Sequence, residues 1–180
     1  LTALPIAVGA SVLAGPAVAF LYDSGYGPTS LALAIVIWAV PFMYLSEFLG
    51  YVVVIQGLER RVARAVLISS GFNVLLNLAL VPWLGLTAAA IMTVLTEIVL
   101  VAQHSWTLRS MIAQFNWLNT LGRPLLATAV MGAVIWALSG VLPFLATVLV
   151  GIVTYGVTAI WVGAAGREDL TFLQRARQRD

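Results

Sequence analysis

The chain has 180 residues, 62% of them hydrophobic and only 9% charged, with a formal net charge of +2. A water-soluble domain keeps roughly a quarter of its residues charged to solvate its surface, so a mean hydropathy of +1.03 implies that lipid is the solvent for most of this one. Cysteine is absent, which excludes a disulfide frame, a thiolate metal site and a Cys nucleophile. The cations are all arginine and sit at segment ends, a pattern too sparse and too localised for nucleic-acid binding.

Leu1 already lies inside an apolar run, with no initiator Met and no charged leader before it. Residues 1–22 therefore do not look like a cleavable signal peptide, and the chain is expected to begin partway through a longer membrane protein. The first segment runs from Leu4 to Tyr22, with Gly9, Ala10, Ala14 and Gly15 small enough for close approach of a neighbour and Pro16 expected to kink it. Asp23-Ser24-Gly25-Tyr26-Gly27-Pro28 is a turn by composition. The second segment, Ser30–Ile55, carries Pro41 and holds Glu47 in its later half.

A charged clip follows, Gln56-Gly57-Leu58-Glu59-Arg60-Arg61-Val62-Ala63-Arg64, and then two apolar runs, Ala65–Val81 and Leu86–Gln103, separated by Pro82-Trp83-Leu84-Gly85. Each run is long enough, at ~1.5 Å per residue, to cross a hydrocarbon layer of roughly 30 Å. Two crossings joined by so short a turn must be antiparallel, so the pair reads as a transmembrane hairpin. In Ser105–Gly122 the residues Leu108, Met111, Ile112, Phe115 and Leu118 recur at helical spacing against Arg109, Gln114, Asn116 and Asn119, the pattern of an amphipathic helix in the interface plane. Pro124–Leu142 and Phe144–Gly163 are the last two apolar segments, with Pro124 suited to a first helical turn.

The expected organisation is therefore four spans in residues 1–104, an interfacial connector at 105–122, two more spans in 123–163 and a basic tail at 164–180. The arginines test this six-helix bundle. Arg60, Arg61 and Arg64 fall in the clip, Arg109 and Arg123 around the connector, and Arg167, Arg175, Arg177 and Arg179 in the tail. With six crossings all of them lie on one side, which the positive-inside rule makes cytoplasmic. Trp83, Trp106, Trp117 and Trp161 lie near expected interfaces, as aromatic belts do.

No catalytic constellation, glycine-rich phosphate loop or metal-ligand spacing is present in the sequence, so neither enzyme chemistry nor a cofactor is expected. The single histidine, His104, is expected to be an ordinary interfacial surface residue. The intramembrane polar groups carry more information, because a charged group at membrane depth costs at least ~2.5–3.5 kcal/mol. Glu97 lies near the middle of its run with Thr93 one turn before it, and Glu47 is flanked by Tyr44 and Tyr51. Both carboxylates suit a water-filled pathway, as cation or proton sites or as acceptors for sugar hydroxyls; both equally suit structural hydrogen bonds between helices. Ser69, Asn73 and Asn77 form a polar stripe at i, i+4 spacing, fit for lining a pathway or for joining helices. Arg60, Arg61 and Arg64 suit a phosphate at the cytoplasmic mouth, or serve topology and anionic-lipid contact alone.

Taken together, Gln56-Gly57 with its Arg-rich clip, Asn73-Val74-Leu75-Leu76-Asn77-Leu78, Val81-Pro82-Trp83-Leu84-Gly85-Leu86, and Ala88-Ala89-Ala90 with Thr93 and Glu97 resemble the C-terminal half of the polysaccharide-biosynthesis flippases. These belong to the multidrug/oligosaccharidyl-lipid/polysaccharide exporter superfamily. The resemblance implies two pseudo-symmetric six-helix lobes around a cavity, often with two extra C-terminal helices. The first four segments here would be the ninth to twelfth helices, and the last two the thirteenth and fourteenth. It further implies that an undecaprenyl-diphosphate-linked oligosaccharide is flipped across a bacterial inner membrane by alternating access. The implied partners are membrane lipid, that carrier-linked glycan, the protein's own N-terminal lobe, and polysaccharide polymerase or assembly proteins. Relatives place basic residues inside the cavity, whereas no Arg lies mid-membrane here, so the diphosphate contact would fall to the clip or to the other lobe. Two alternatives stand beside this one: a drug–cation antiporter of the same superfamily, and a membrane glycan polymerase or ligase. The short outer loops, lacking Arg and His, argue against the enzyme.

Overall fold

The computed structural model describes residues 2–22, 27–113 and 117–163. The turn expected at 23–28 falls largely outside these residues, as do part of the connector and the basic tail. Every regular element among the described residues is a helix: α1 (Ala3–Val12), α2 (Ala14–Leu21), α3 (Gly27–Val36), α4 (Ala39–Ile55), α5 (Glu59–Thr107), α6 (Arg109–Ile112), α7 (Trp117–Leu138) and α8 (Phe144–Trp161). Four helical runs are long and apolar enough to cross a membrane: Thr29–Ile55, Glu59–Thr107, Leu121–Leu138 and Phe144–Trp161. Counting the bent pair α1 and α2 as one crossing makes five. The chain is an all-α protein suited to membrane embedding.

Two of the breaks between helices sit one turn ahead of a proline. Pro16 can neither donate to the Val12 carbonyl nor clear it sterically, and the chain bends by 69° at Leu13. The bend therefore precedes Pro16, which itself lies inside α2. Pro41 acts likewise on the Ile37 carbonyl. At Ile37 and Trp38 the helix tightens into turns closed by Trp38 N–H to Ile35 O (3.1 Å) and Val40 N–H to Ile37 O (3.1 Å), dividing α3 from α4.

The end of α4 is a glycine-capped stop. Gly57 adopts φ 70°, and its N–H bonds to Val54 O (2.8 Å) while the Leu58 N–H reaches Val53 O (3.2 Å). Those two bonds form the Schellman arrangement, which satisfies carbonyls that helix termination would orphan. The next helix starts at once, so Arg60, Arg61 and Arg64 lie on the first turns of α5 rather than in a loop.

Helix α5 is two antiparallel arms, 59–84 and 86–107, joined at Gly85. That residue has φ 59° and ψ −141°, a conformation open to glycine and strained for residues with a Cβ. Side chains far apart in sequence then meet across the arms. Asn73 Nδ2 donates to Thr96 Oγ1 (2.8 Å), and Gln103 Nε2 donates to Ser69 Oγ (2.9 Å) and, at 3.4 Å, to Ala65 O. Pro82 stays within the first arm, and glycine alone makes the reversal.

The described residues form two compact units, one within 6–113 and the other made of 2–5 with 117–163. In the first, α3 packs on α2 and α5, and α4 packs on α5. Ser11 Oγ ties α1 to α3 by donating to Ala34 O (3.0 Å). Leu49, Val53 and Leu108 form a buried cluster ringed by Leu45, Val52, Leu58, Val62, Val101 and Ile112. The segment expected to be one interfacial helix is thus divided among the end of α5, α6 and the start of α7, because Leu108 and Ile112 are drawn into this cluster. In the second unit α7 packs on α8 with Ile135 buried against Gly151. Large apolar side chains such as Leu67, Leu75, Leu78, Ile152 and Trp161 point outward, as a lipid-facing surface requires.

Candidate functional site

Helix α4 has two faces. Tyr44, Phe48, Tyr51 and Ile55 recur at i, i+4, i+7 and i+11, and all four are exposed, forming one stripe of the helix. Glu47, also exposed, borders that stripe. The opposite face, with Ser46, Leu49, Gly50 and Val53, is buried against α5. Tyr44, Glu47 and Tyr51 thus share an open, aromatic and acidic surface. Tyrosine rings can stack on the C–H faces of a sugar, and a carboxylate accepts hydrogen bonds from its hydroxyls.

The second expected carboxylate is held differently. Glu97, half-buried on the second arm of α5, lies with Oε2 2.9 Å from Ser46 Oγ, and Ser46 Oγ is also 3.0 Å from Met43 O. A hydroxyl carries one proton and two lone pairs. A charged Glu97 accepts that proton. A protonated Glu97 instead donates to Ser46 Oγ, while Ser46 donates back to Met43 O. The pair therefore keeps a hydrogen bond in either protonation state of the carboxyl. Glu47 projects from the exposed side of α4, whereas Glu97 meets Ser46 on the buried side of that helix.

His104 belongs to this same interface, contrary to its expected surface position. It is 3% exposed, and neither ring nitrogen has a hydrogen-bond partner. The ring lies over Gly50: a Cβ built there would stand 3.3 Å from Cε1 and 3.7 Å from Nδ1. The one sequence signal that could have located it is the glycine a turn and a half before Ile55, which leaves room on α4 for a flat ring.

The remaining candidates are placed as follows. The Asn73 amide is engaged with Thr96 in the seam that joins the arms of α5, and the Asn77 Nδ2 is held one turn back on its own arm by Asn73 O (2.9 Å) and Oδ1 (3.0 Å). Thr93 turns its hydroxyl back to Ala89 O (2.9 Å) and lines a shallow groove of about 300 Å³ between α3 and the second arm, walled by Ala32, Leu33, Val36, Leu86 and Ala90. That groove is too apolar for a charged ligand. Arg60, Arg61 and Arg64 are exposed on the first turns of α5, against the helix dipole, so helix stability does not account for their presence. Arg109 stacks over the Trp106 ring at 5.1 Å, a contact common at interfaces. Among the described residues no group of three His, Asp or Glu side chains could hold a metal ion.

No protein-family model matches this chain, and no curated protein is significantly similar to it.

Proposed function

We propose that the chain is the C-terminal half of a membrane transporter that flips a lipid-linked oligosaccharide across a bacterial inner membrane by alternating access. The observation that carries this reading is the exposed face of α4, where Tyr44, Glu47 and Tyr51 stand together on a helix whose other side chains, Ser46 apart, are apolar. A glycan headgroup needs a polar, aromatic track, and its lipid tail needs an apolar surface beside it. Phe48 and Ile55 on the same stripe offer the second.

The topology belongs to the same proposal. The two arms of α5 count as two crossings, so with α1–α2, α3–α4, α7 and α8 the chain crosses six times and all its arginines fall on the cytoplasmic side, C-terminus included. Arg60, Arg61 and Arg64 are then placed to meet a diphosphate at the cytoplasmic mouth. A preceding lobe would complete a two-lobe transporter of 12–14 helices, and polymerase or assembly proteins would supply or take up the glycan.

A second reading, a drug–cation antiporter, draws on the Ser46–Glu97 pair, which tolerates gain and loss of a proton. One assay separates the two. Inside-out vesicles carrying the full-length protein are loaded with labelled undecaprenyl-diphosphate oligosaccharide, and flipping is compared between wild type and Glu47→Gln. The flippase reading expects wild type to flip and the variant, at equal membrane abundance, to slow by tenfold or more, the scale of ~1.4 kcal/mol. Wild-type vesicles that move no lipid-linked sugar but expel cationic dyes down an ion gradient would replace it with the antiporter.

A further inference from the structure

The end of the α5 hairpin away from Gly85 gathers charge from both arms. Arg60, Arg61 and Arg64 stand exposed on the first turns of the first arm. The second arm returns to the same end: Gln103 bonds to Ala65 O and Ser69 Oγ, and Leu108 shares one cluster with Leu58, Val62 and Ile112. That return brings in Arg109, exposed, with its guanidinium over the exposed Trp106 ring. Four cations thus stand against one carboxylate, Glu59, and helical spacing puts Val62 and Ala63 rather than an arginine on the Glu59 face. Among the described residues none of the four arginines is in an ion pair.

Nothing within the fold offsets this crowding. Arg60 and Arg64, one turn apart, repel each other, and the cations on these first turns oppose the positive end of the helix dipole. An anion from outside relieves both effects, and each guanidinium fork can grip two phosphate oxygens at once. The surface next to the arginines suits what such a phosphate would be attached to. Arg60, Arg64, Leu67, Leu75 and Leu78 fall on one stripe of the first arm, and all five are exposed. From Arg64 to Leu78 the helix rises ~21 Å at about 1.5 Å per residue. One leaflet contributes roughly 15 Å of hydrocarbon, so the apolar part of the stripe can follow an acyl chain through its leaflet. Trp106 adds an indole of the kind that settles at the headgroup level.

We infer that this basic end is a binding site for anionic phospholipids of the surrounding leaflet, with headgroup phosphates held by Arg60, Arg61, Arg64 and Arg109 and acyl chains laid along Leu67, Leu75 and Leu78. The lipid comes from the bilayer itself, so the site neither requires nor excludes the diphosphate contact proposed above.

The test is native mass spectrometry of the full-length protein released from mixed micelles, comparing its affinity for phosphatidylglycerol with that for phosphatidylcholine of the same chain length. Wild type should prefer the anionic lipid by tenfold or more, since each arginine near a membrane surface contributes about fivefold. The triple variant Arg60→Gln, Arg61→Gln, Arg64→Gln should lose most of that preference. Arg109→Gln leaves the clip and its topological charges in place, and it should lower the preference about fivefold. Soluble glycerophosphoglycerol, which has the headgroup without the tails, should not displace the lipid at equal concentration. Equal affinity of wild type for the two lipids overturns the inference, as does a wild-type preference that persists in either variant. Displacement by glycerophosphoglycerol overturns it in favour of a site for free phosphate esters. The vesicle assay with Glu47→Gln reads on a different residue, so failure of one experiment leaves the other standing.

Discussion

The reversal at Gly85 makes a geometrical prediction of large contrast. If residues 59–107 were one continuous helix, Ser69 and Gln103 would stand ~51 Å apart, taking 34 residues at about 1.5 Å each. Folded back, their side chains touch at 2.9 Å. Because the chain contains no cysteine, the double substitution Ser69→Cys with Gln103→Cys introduces the only thiols in this sequence. Cysteine is shorter than glutamine by about two bonds, so a short bifunctional thiosulfonate is the suitable bridge. Membranes are treated with the reagent, denatured, and labelled with a maleimide-linked polymer that retards free thiols on a gel. Near-complete loss of retardation, without a doubled-mass band, is expected. A control pair, Ser69→Cys with Thr87→Cys, is nearer in sequence yet separated by roughly 20 Å or more in either geometry, and it should remain fully labelled. Equal labelling of both pairs, or bridging only between two chains, would refute the hairpin.

Two other perturbations have readable consequences. Gly151→Ala places a Cβ 2.9 Å from Ile135 Cγ2, and since Ile135 is fully buried the overpacking should lower stability in detergent by ~1–3 kcal/mol. Ile135→Ala in the same chain should recover part of that loss, and a purely additive double variant would argue against the α7–α8 contact. Ser46→Ala removes the partner of Glu97 and should cost a similar ~1–3 kcal/mol in thermal unfolding, with a smaller loss when Glu97→Gln accompanies it. An unchanged melting point in Ser46→Ala would show that the carboxyl is satisfied elsewhere.

What could be anticipated from the residue string was what rests on length and local chemistry. Two apolar runs on either side of Pro82-Trp83-Leu84-Gly85 can only fold back, and the hydrogen bonds across the arms follow from Ser69 and Asn73 sharing a face of the first arm. The helix breaks were foreshadowed by Pro16 and displaced from it by one turn, since a proline disturbs the carbonyl four residues behind it. What stayed hidden depends on contacts between distant elements. The burial of His104 rests on Gly50, which lies on another helix. The pairing of Glu97 with Ser46 requires the register between α4 and α5, which no local pattern encodes. Leu108 and Ile112 fit an interfacial helix by spacing, yet the cluster around Leu49 and Val53 captures them. Amphipathic spacing identifies an apolar face without saying whether lipid or protein covers it.

The seam within α5 also bears on how the protein enters a membrane. The first arm, emerging alone, would carry Ser69 and Asn73 into hydrocarbon with their side-chain groups facing lipid, and each unmet polar group there is costly. Their partners in the seam, Thr96 and Gln103, are synthesised only afterwards, on the arm beyond Gly85. The first arm is therefore best retained at the insertion machinery until the second arrives, and the two leave laterally as a closed pair. Biogenesis of this stretch is one partitioning step rather than two, and a ribosome pause between Asn77 and Thr96 would prolong its most exposed intermediate.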